Sequence, residues 1–351
     1  QRTPPEIAAD MTWGQRMALD ACTECGLCED ACPAWAADRP LSPKKVVVGL
    51  RSKVNRWGAS PSTLFRDLIG EAEAWSCTTC GACVNACPVG VRHTDYLVDA
   101  RRAHLMAKRA TPTMATALET LRTQGNPFGM GAEQRLAWAA NLPAGTKVET
   151  VDKASEVDVI YWVGCAGAFD EQGQRTARAI AELLGRAGAR FAVLGPEERC
   201  TGDPARRLGE EGLFQQLART NIECLNGHGA TKILTTCPHC FNTLKNEYPD
   251  FGGNYDVVHH TDYLAALVSE GRLTLEPSGA NDTVTYHDSC YLGRHNDIFD
   301  SPRDLLRAVF PDNLQEMACA KSESFCCGAG GGHAWFDLEQ GEKINAIRYD
   351  Q

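Results

Sequence analysis

The sequence predicts an α-helical domain followed by an α/β domain with two related halves and a mainly parallel sheet. Three observations carry this. A Cys-x2-Cys-x2-Cys-x3-Cys-Pro run occurs twice near the N-terminus, as CTECGLCEDACP from Cys22 and as CTTCGACVNACP from Cys77. Strand–helix alternation sets in near residue 150. A unit that opens at Cys165 starts again at Cys290.

Residues 1–20 read as a polar arm leading into a short helix, MTWGQRMALD. The first run supplies Cys22, Cys25, Cys28 and Cys32; the second supplies Cys77, Cys80, Cys83 and Cys87. Three thiolates at two-residue gaps wrap one corner of a [4Fe–4S] cube, and the fourth Cys of each run ligates the other cube. Cys22, Cys25, Cys28 and Cys87 are therefore assigned to one [4Fe–4S] cluster, and Cys77, Cys80, Cys83 and Cys32 to a second. Structural zinc also uses Cys-x2-Cys pairs, but it needs neither a third thiol nor a trailing Cys-Pro. Between the runs, LSPKKVVVGLRSKVNRW and PSTLFRDLIGEAEAW are expected to be helices. Ser42-Pro43 and Ser60-Pro61 set a capping residue before a Pro at each start. HTDYLVDARRAHLMAKRA continues as an amphipathic helix.

The domain reading is 1–110 for the helical domain, 111–150 for a connector and 151–351 for the α/β domain. TQGNPFGMG and NLPAGTKVE in the connector are Gly/Pro-rich loops. VDVIYWVG, RFAVLG, TKILTT and YDVVHH are expected strands. TARAIAELLGRAG (closed by Gly188), PARRLGEEGLFQQLARTNIECLNGHG, FNTLKNEY and TDYLAALVSEG are the helices between and after them. In the second copy a strand VTYHDSCYLG should end at Cys290, with the helix SPRDLLRAVF following. The interval from Cys165 to Cys200 nearly equals that from Cys290 to Cys326. Cysteines thus fall at strand ends and on loops, where open α/β sheets bind cofactors.

The net charge is −10, with no basic run, which disfavours nucleic acid as a partner. Seventeen Cys at metal-ligand spacing call for reduced thiols and a reducing compartment. No apolar run is long enough to span a bilayer. The chain opens on Gln1 without an initiator Met or secretory signal, and a longer polypeptide is expected around it.

The long gap between the two runs resembles the helical ferredoxin domain of succinate dehydrogenase-type iron–sulfur subunits and of heterodisulfide reductases. The α/β part resembles the CCG domain of heterodisulfide reductase-related proteins: Cys, a long gap, Cys-Cys-Gly, a second long gap, Cys-x2-Cys. The first copy departs from that pattern, since Arg199-Cys200-Thr201-Gly202 stands for Cys-Cys-Gly. It keeps Cys165, Cys200, Cys237 and Cys240, four thiols that suit an ordinary cubane or a structural metal. The second copy keeps Cys290, Cys326 and Cys327, a possible fourth centre. Its Cys-x2-Cys would fall past Gln351. EERCTGDPARRLG, TTCPHCFNTLKNEYPDFGG, YHDSCYLGRHN and SFCCGAGGGHAW are most similar to the iron–sulfur part of membrane-bound electron-transfer-flavoprotein:quinone oxidoreductases. The electron carriers of dimethylglycine- and sarcosine-type dehydrogenases are similar.

That resemblance implies an electron-transfer component of an oxidoreductase on the cytoplasmic side of the cell membrane, peripheral or tethered. Its donor would be electron-transfer flavoprotein or another flavin-dependent dehydrogenase. Its acceptor would be membrane quinone, reached through a membrane domain or subunit. FAD and haem b would belong to partners or missing segments, and one or two further iron–sulfur clusters to the CCG domain. Two rival readings are a heterodisulfide reductase-type thiol/disulfide enzyme at Cys290, Cys326 and Cys327, and a CCG domain that only docks a flavoprotein. No catalytic base or nucleophile is named outside the Cys set.

Cys224 and Cys319 read as non-ligands, small buried hydrophobes. His239, His287 and His333 each stand near a ligand Cys and read as neighbours of the clusters rather than ligands. Tyr286-His287-Asp288 could deliver protons beside Cys290. Gly328 to Gly332 lack the Lys-Ser/Thr of a phosphate loop and are read as glycines that bring backbone N–H groups to the sulfurs.

Overall fold

The computed structural model describes residues 11–55, 64–140, 142–143, 145–154, 157–280 and 282–351. The first helix, Trp13–Ala21, begins in a capping box, with Thr12 accepting from Gln15 N and Gln15 reaching back to Thr12 N. Each Cys run then folds into a short turn of helix, Leu27–Asp30 and Ala82–Asn85, entered through a left-handed glycine, Gly26 or Gly81. Ser42 caps the helix Pro43–Val54 by accepting from Lys45 N at 3.0 Å, with Pro43 in its first turn. Ser60-Pro61 lies outside the described residues. The single helix expected for PSTLFRDLIGEAEAW becomes two, Leu64–Leu68 and Glu71–Ser76, parted at Gly70.

The helix His93–Met106 forms as expected, but it is buried far beyond one apolar stripe. Asp99, Arg101, Arg102 and His104 are buried together with Tyr96 and Leu97. The charge of Arg102 is paired internally instead of solvated: Arg102 donates to Asp99 at 2.9 Å and to Glu211 at 2.7 Å. This helix stands between the helical part and the sheet part, and so both its faces are covered. The stretch read as connector contains more structure than loops, namely a helix Pro112–Gln124 and a 3-10 helix Ala132–Ala139. Met114, Leu118 and Leu121 of the former join the core of the α/β part.

The sheet has five parallel strands: β1 (Glu149–Thr150), β2 (Val159–Trp162), β3 (Phe191–Val193), β4 (Lys232–Thr235) and β5 (Asp256–His259), in the order β1-β3-β2-β4-β5. β2 is buried along its whole length, as a central strand covered on both faces must be. The chain runs from β2 out to β3 and then returns across β2 to β4. The β2/β4 junction is therefore a switch point, where α/β sheets open a crevice at their carboxyl ends. Cys165 follows β2 and Cys237 follows β4 at that junction. The helical run after Cys200 is divided into Asp203–Leu208 and Glu211–Gly227 by Gly209, whose φ is +103°.

The second copy departs from expectation in one respect. No strand forms before Cys290; the described residues there hold only an isolated parallel bridge between Val284 and Leu314. The backbone of this segment is satisfied locally, by Val284 N to Asn313 O and Gln315 N to Val284 O, both 2.8–2.9 Å. Asp288 is committed to Arg303, at 2.7 Å and 2.8 Å, and to Lys321 N. The helix Asp300–Val309 forms. Among the described residues no helix is long and apolar enough to cross a membrane.

Candidate metal centres

The two N-terminal runs bring thiols of one run beside thiols of the other. Cys32, Cys77, Cys80 and Cys83 line one narrow cavity, together with Pro33, Leu41 and Leu97. Burial pushes the Cys32 thiol up to about 12, and Cys80 and Cys77 are the thiols that add to the effect. Burial likewise pushes Cys28 up to about 11, and there the added repulsion comes from Cys22 and Cys87. Cys32 thus stands among the thiols of the second run, and Cys87 acts on Cys28 of the first. Thr79 N and Val91 N donate to the sulfurs of Cys77 and Cys87, each at 3.3 Å.

Those shifts also test what the sets can hold. Four sulfurs packed in a closed apolar wall cannot all ionise unless a strong positive charge stands among them. An all-thiol set around a cavity suits a metal–sulfur cluster, and these residues fit a [4Fe–4S] cubane. The first set is the more accessible, with Cys25 exposed and Cys22 and Cys87 half-buried.

The third set forms at the switch point of the sheet. Cys165, Cys200 and Cys240 share one buried cluster with Cys237 packed against it, and the Cys240 thiol is pushed up by Cys237, by burial, and then by Cys200 and Cys165. Gly164, beside the Cys240 sulfur, has φ +76°, a backbone that L side chains rarely adopt. An element that sequence reading missed completes the centre. Arg135, from the stretch read as connector, is 3% exposed and donates to the Cys165 sulfur at 3.3 Å. Its charge is balanced by buried Glu198 at 2.9 Å, which also accepts from Val163 N and Gly164 N. Nothing in the local pattern around Arg135 signals this, whereas Glu198 lies within the motif EERC.

Cys290, Cys326 and Cys327 come together as well, and they do so against the helical part. Cys80, Cys290, Tyr291 and Cys326 share one buried cluster with Ala37 and Ile344. A hydrogen bond with Cys326 is the main influence holding Cys80 down at about 5, and Cys326 Sγ lies 3.3 Å from Thr78 Oγ1. The second set and the fourth therefore share a wall. Cys327 is exposed, and its hydrogen bond with Cys326, with His287 behind it, holds its thiol down to about 3.

The loop Cys77–Gly81 is gripped from several sides. Tyr291 Oη and Thr79 Oγ1 are 2.9 Å apart, Arg294 Nε donates to Cys80 O at 2.9 Å, and His295 Nε2 is 3.2 Å from Thr79 O. The glycine run has its role here. Cβ atoms at Gly330 and Gly331 would stand 2.5 Å from Thr78 O and Cys77 O. These glycines let one backbone lie directly on the other. Buried Arg101 fastens the junction by donating to Ala74 O, Cys77 O, Arg207 O and Gly331 O. His239, between Cys237 and Cys240, stacks on Tyr291 at 4.1 Å, and Tyr291 on His295 at 4.3 Å. The ring stack spans from the third set to the Cys77–Gly81 loop. Cys224 lies beside Glu197 and His228.

Known proteins resemble the chain along most of its length. Residues 159–245 and 284–351 match the CCG family, described as a cysteine-rich domain, and residues 13–91 match the 4Fe-4S dicluster domain. The chain is 36% identical to the EtfAB:quinone oxidoreductase of Syntrophomonas wolfei over 99% of its own length. It is 41% identical to a protein of Chromohalobacter salexigens named "Probable membrane-anchored ferredoxin", over 98% of its length. In both cases it spans 54% of the relative, about half. It is 35% identical to one component of the dihydromethanophenazine:CoB–CoM heterodisulfide reductase of Methanosarcina barkeri, over 95% of this chain and 83% of that one. No solved structure gives a significant match.

Proposed function

Because the chain belongs to the CCG-domain iron–sulfur proteins related to heterodisulfide reductase, we propose that it is an electron relay taking electrons from a flavoprotein toward membrane quinone. The chain is an iron–sulfur oxidoreductase-type component, and its relatives are oxidoreductases or electron-transfer proteins. In the proposed ligation Cys22, Cys25, Cys28 and Cys87 hold one [4Fe–4S] cluster and Cys77, Cys80, Cys83 and Cys32 the second. Cys165, Cys200, Cys237 and Cys240 hold a third centre, and Cys290, Cys326 and Cys327 contribute to a fourth. Clusters held there supply one-electron transfer at potentials set by charge, burial and hydrogen bonds to sulfur.

One observation carries the reading: Cys80 of the second set packs in one buried cluster with Cys290 and Cys326 of the fourth, so the two sets adjoin. The third is one ring stack away, through His239 and Tyr291. The exposed first set is the proposed entry point for electrons. Arg135 steadies extra negative charge on the third centre. The flavoprotein would be electron-transfer flavoprotein or a flavin-dependent dehydrogenase. Quinone would be met through a membrane domain or a membrane partner at the cytoplasmic face. The name of the Syntrophomonas relative favours that pairing.

Rapid mixing of the cluster-loaded chain with reduced electron-transfer flavoprotein tests this. Bleaching of cluster absorbance within the mixing experiment is expected, and no transfer from any reduced flavoprotein tried would refute the relay. Exposed Cys327 and the Methanosarcina relative favour a second reading, disulfide cleavage at Cys290, Cys326 and Cys327. Steady reduction of a low-molecular-weight disulfide at a rate comparable to flavoprotein oxidation would replace the relay by that enzyme.

A further inference from the structure

Apart from the four cysteine sets, one more group of metal-ligating side chains comes together among the described residues. Glu197, Cys224 and His228 bring one ligand atom each to within 4.8 Å of one another. The local folding explains why. Glu197 ends the 3-10 turn Gly195–Glu197 that follows β3. Cys224 lies in the last turn of the helix Glu211–Gly227, and His228 is that helix's C-cap. Residues four apart share a helix face, so the thiol and the imidazole point to the same side. Glu197 meets both: its Oε2 is 2.6 Å from His228 Nε2 and 3.3 Å from Cys224 Sγ.

We propose that Glu197, Cys224 and His228 form a binding site for a divalent transition-metal ion, Zn2+ in first place, with a water on the open side. The donor chemistry selects the ion. A thiolate and an imidazole disfavour magnesium and calcium, which take oxygen ligands, while one sulfur, one nitrogen and one or two carboxylate oxygens suit zinc. Three protein ligands with a free fourth position is a common zinc arrangement. Metal–ligand bonds of about 2.0–2.3 Å require ligand atoms somewhat over 3 Å apart. The Cys224–Glu197 pair already meets that. The His228–Glu197 pair must open slightly, and the Glu197 side chain, 54% exposed, is free to turn. On binding, the sulfur–metal bond replaces the Cys224 S–H bond and the proton leaves to solvent; no electron moves. Thiolate and carboxylate together balance the charge of the ion.

The site is independent of the cluster ligands, yet it touches their support. The next residue, Glu198, holds Val163 N and Gly164 N and pairs with Arg135 at the Cys165 sulfur. An ion on Glu197 therefore ties the turn behind the third centre to the end of a long helix.

The test uses the cluster-loaded chain under anaerobic conditions, freed of loose metal by a weak chelator and titrated with Co2+ as a spectroscopic probe. One Co2+ per chain is expected, with a thiolate-to-cobalt charge-transfer band that Zn2+ displaces and with iron content unchanged. Cys224→Ser should abolish the band, while His228→Ala and Glu197→Gln should each weaken binding by about tenfold or more. These positions are at the surface, so retained iron in every variant reports intact folding. No band in the wild-type chain, a band that survives Cys224→Ser, or iron lost in step with cobalt uptake would overturn the proposal. The first outcome would leave the triad as a hydrogen-bonded ion pair; the last would assign the cobalt to cluster cysteines.

Discussion

Replacing Gly331 by Ala probes the seat on which the glycine run rests. Gly331 has φ +65°, and its added Cβ would stand 2.5 Å from Cys77 O and 3.0 Å from Thr78 C and Cα. The carbonyl cannot move aside cheaply, because Cys77 O also accepts from buried Arg101. A left-handed backbone costs an L-residue about 1–2 kcal/mol. Forced overlap in a packed region adds about 1–3 kcal/mol. The control is Gly271→Ala, at φ +69° with nothing within 4 Å of the added carbon. It carries the backbone cost alone, and both substitutions gain equally from a stiffer unfolded chain. Gly331→Ala should therefore be the more destabilising by about 1–3 kcal/mol. For a cooperative unit of 150–250 residues that corresponds to a midpoint lower by roughly 2–4 °C per kcal/mol. The assay is thermal unfolding of the cluster-loaded chains at one fixed scan rate, read by circular dichroism and by loss of cluster absorbance. If the two variants melted together, the close seating of Gly331 on Cys77 would be wrong.

The other predictions concern the centres themselves. Anaerobic analysis should find at least about eight iron and eight sulfide per chain, the content of two cubanes, and zinc in their place would refute the assignment. Cys87→Ala should alter the electron paramagnetic resonance signal of the Cys22, Cys25 and Cys28 centre, and Cys32→Ala that of the Cys77, Cys80 and Cys83 centre; the reverse outcome would exclude crossed ligation. Arg135→Gln should lower the reduction potential of the third centre, since a cation beside thiolates favours the more negative reduced state. A charge-assisted hydrogen bond of about 1.4 kcal/mol corresponds to on the order of 60 mV for one electron. Arg135→Lys should recover part of it, and an unmoved potential in Arg135→Gln with iron retained would separate Arg135 from the centre.

Local pattern alone determined a good part of this protein. The spacing of Cys22 to Cys32 and of Cys77 to Cys87 announces cluster ligands, because three thiols at two-residue gaps meet one object whatever surrounds them. The Ser42-Pro43 start works through atoms three residues apart, and β2 through β5 are legible from short apolar runs between helices. The expected strand before Cys290 did not form, and Asp288 within it is held by Arg303 and Lys321 N from other segments. Tertiary structure alone decided the rest. Arg101 and Arg102 look like a solvated face in sequence, yet both are buried, since the helix that carries them is covered from two sides. Arg135 reaches Cys165 across 30 positions, and Cys80 meets Cys326 across far more. Charges and thiols that far apart leave no periodic trace, and only the closing of one part of the chain on another brings them into contact.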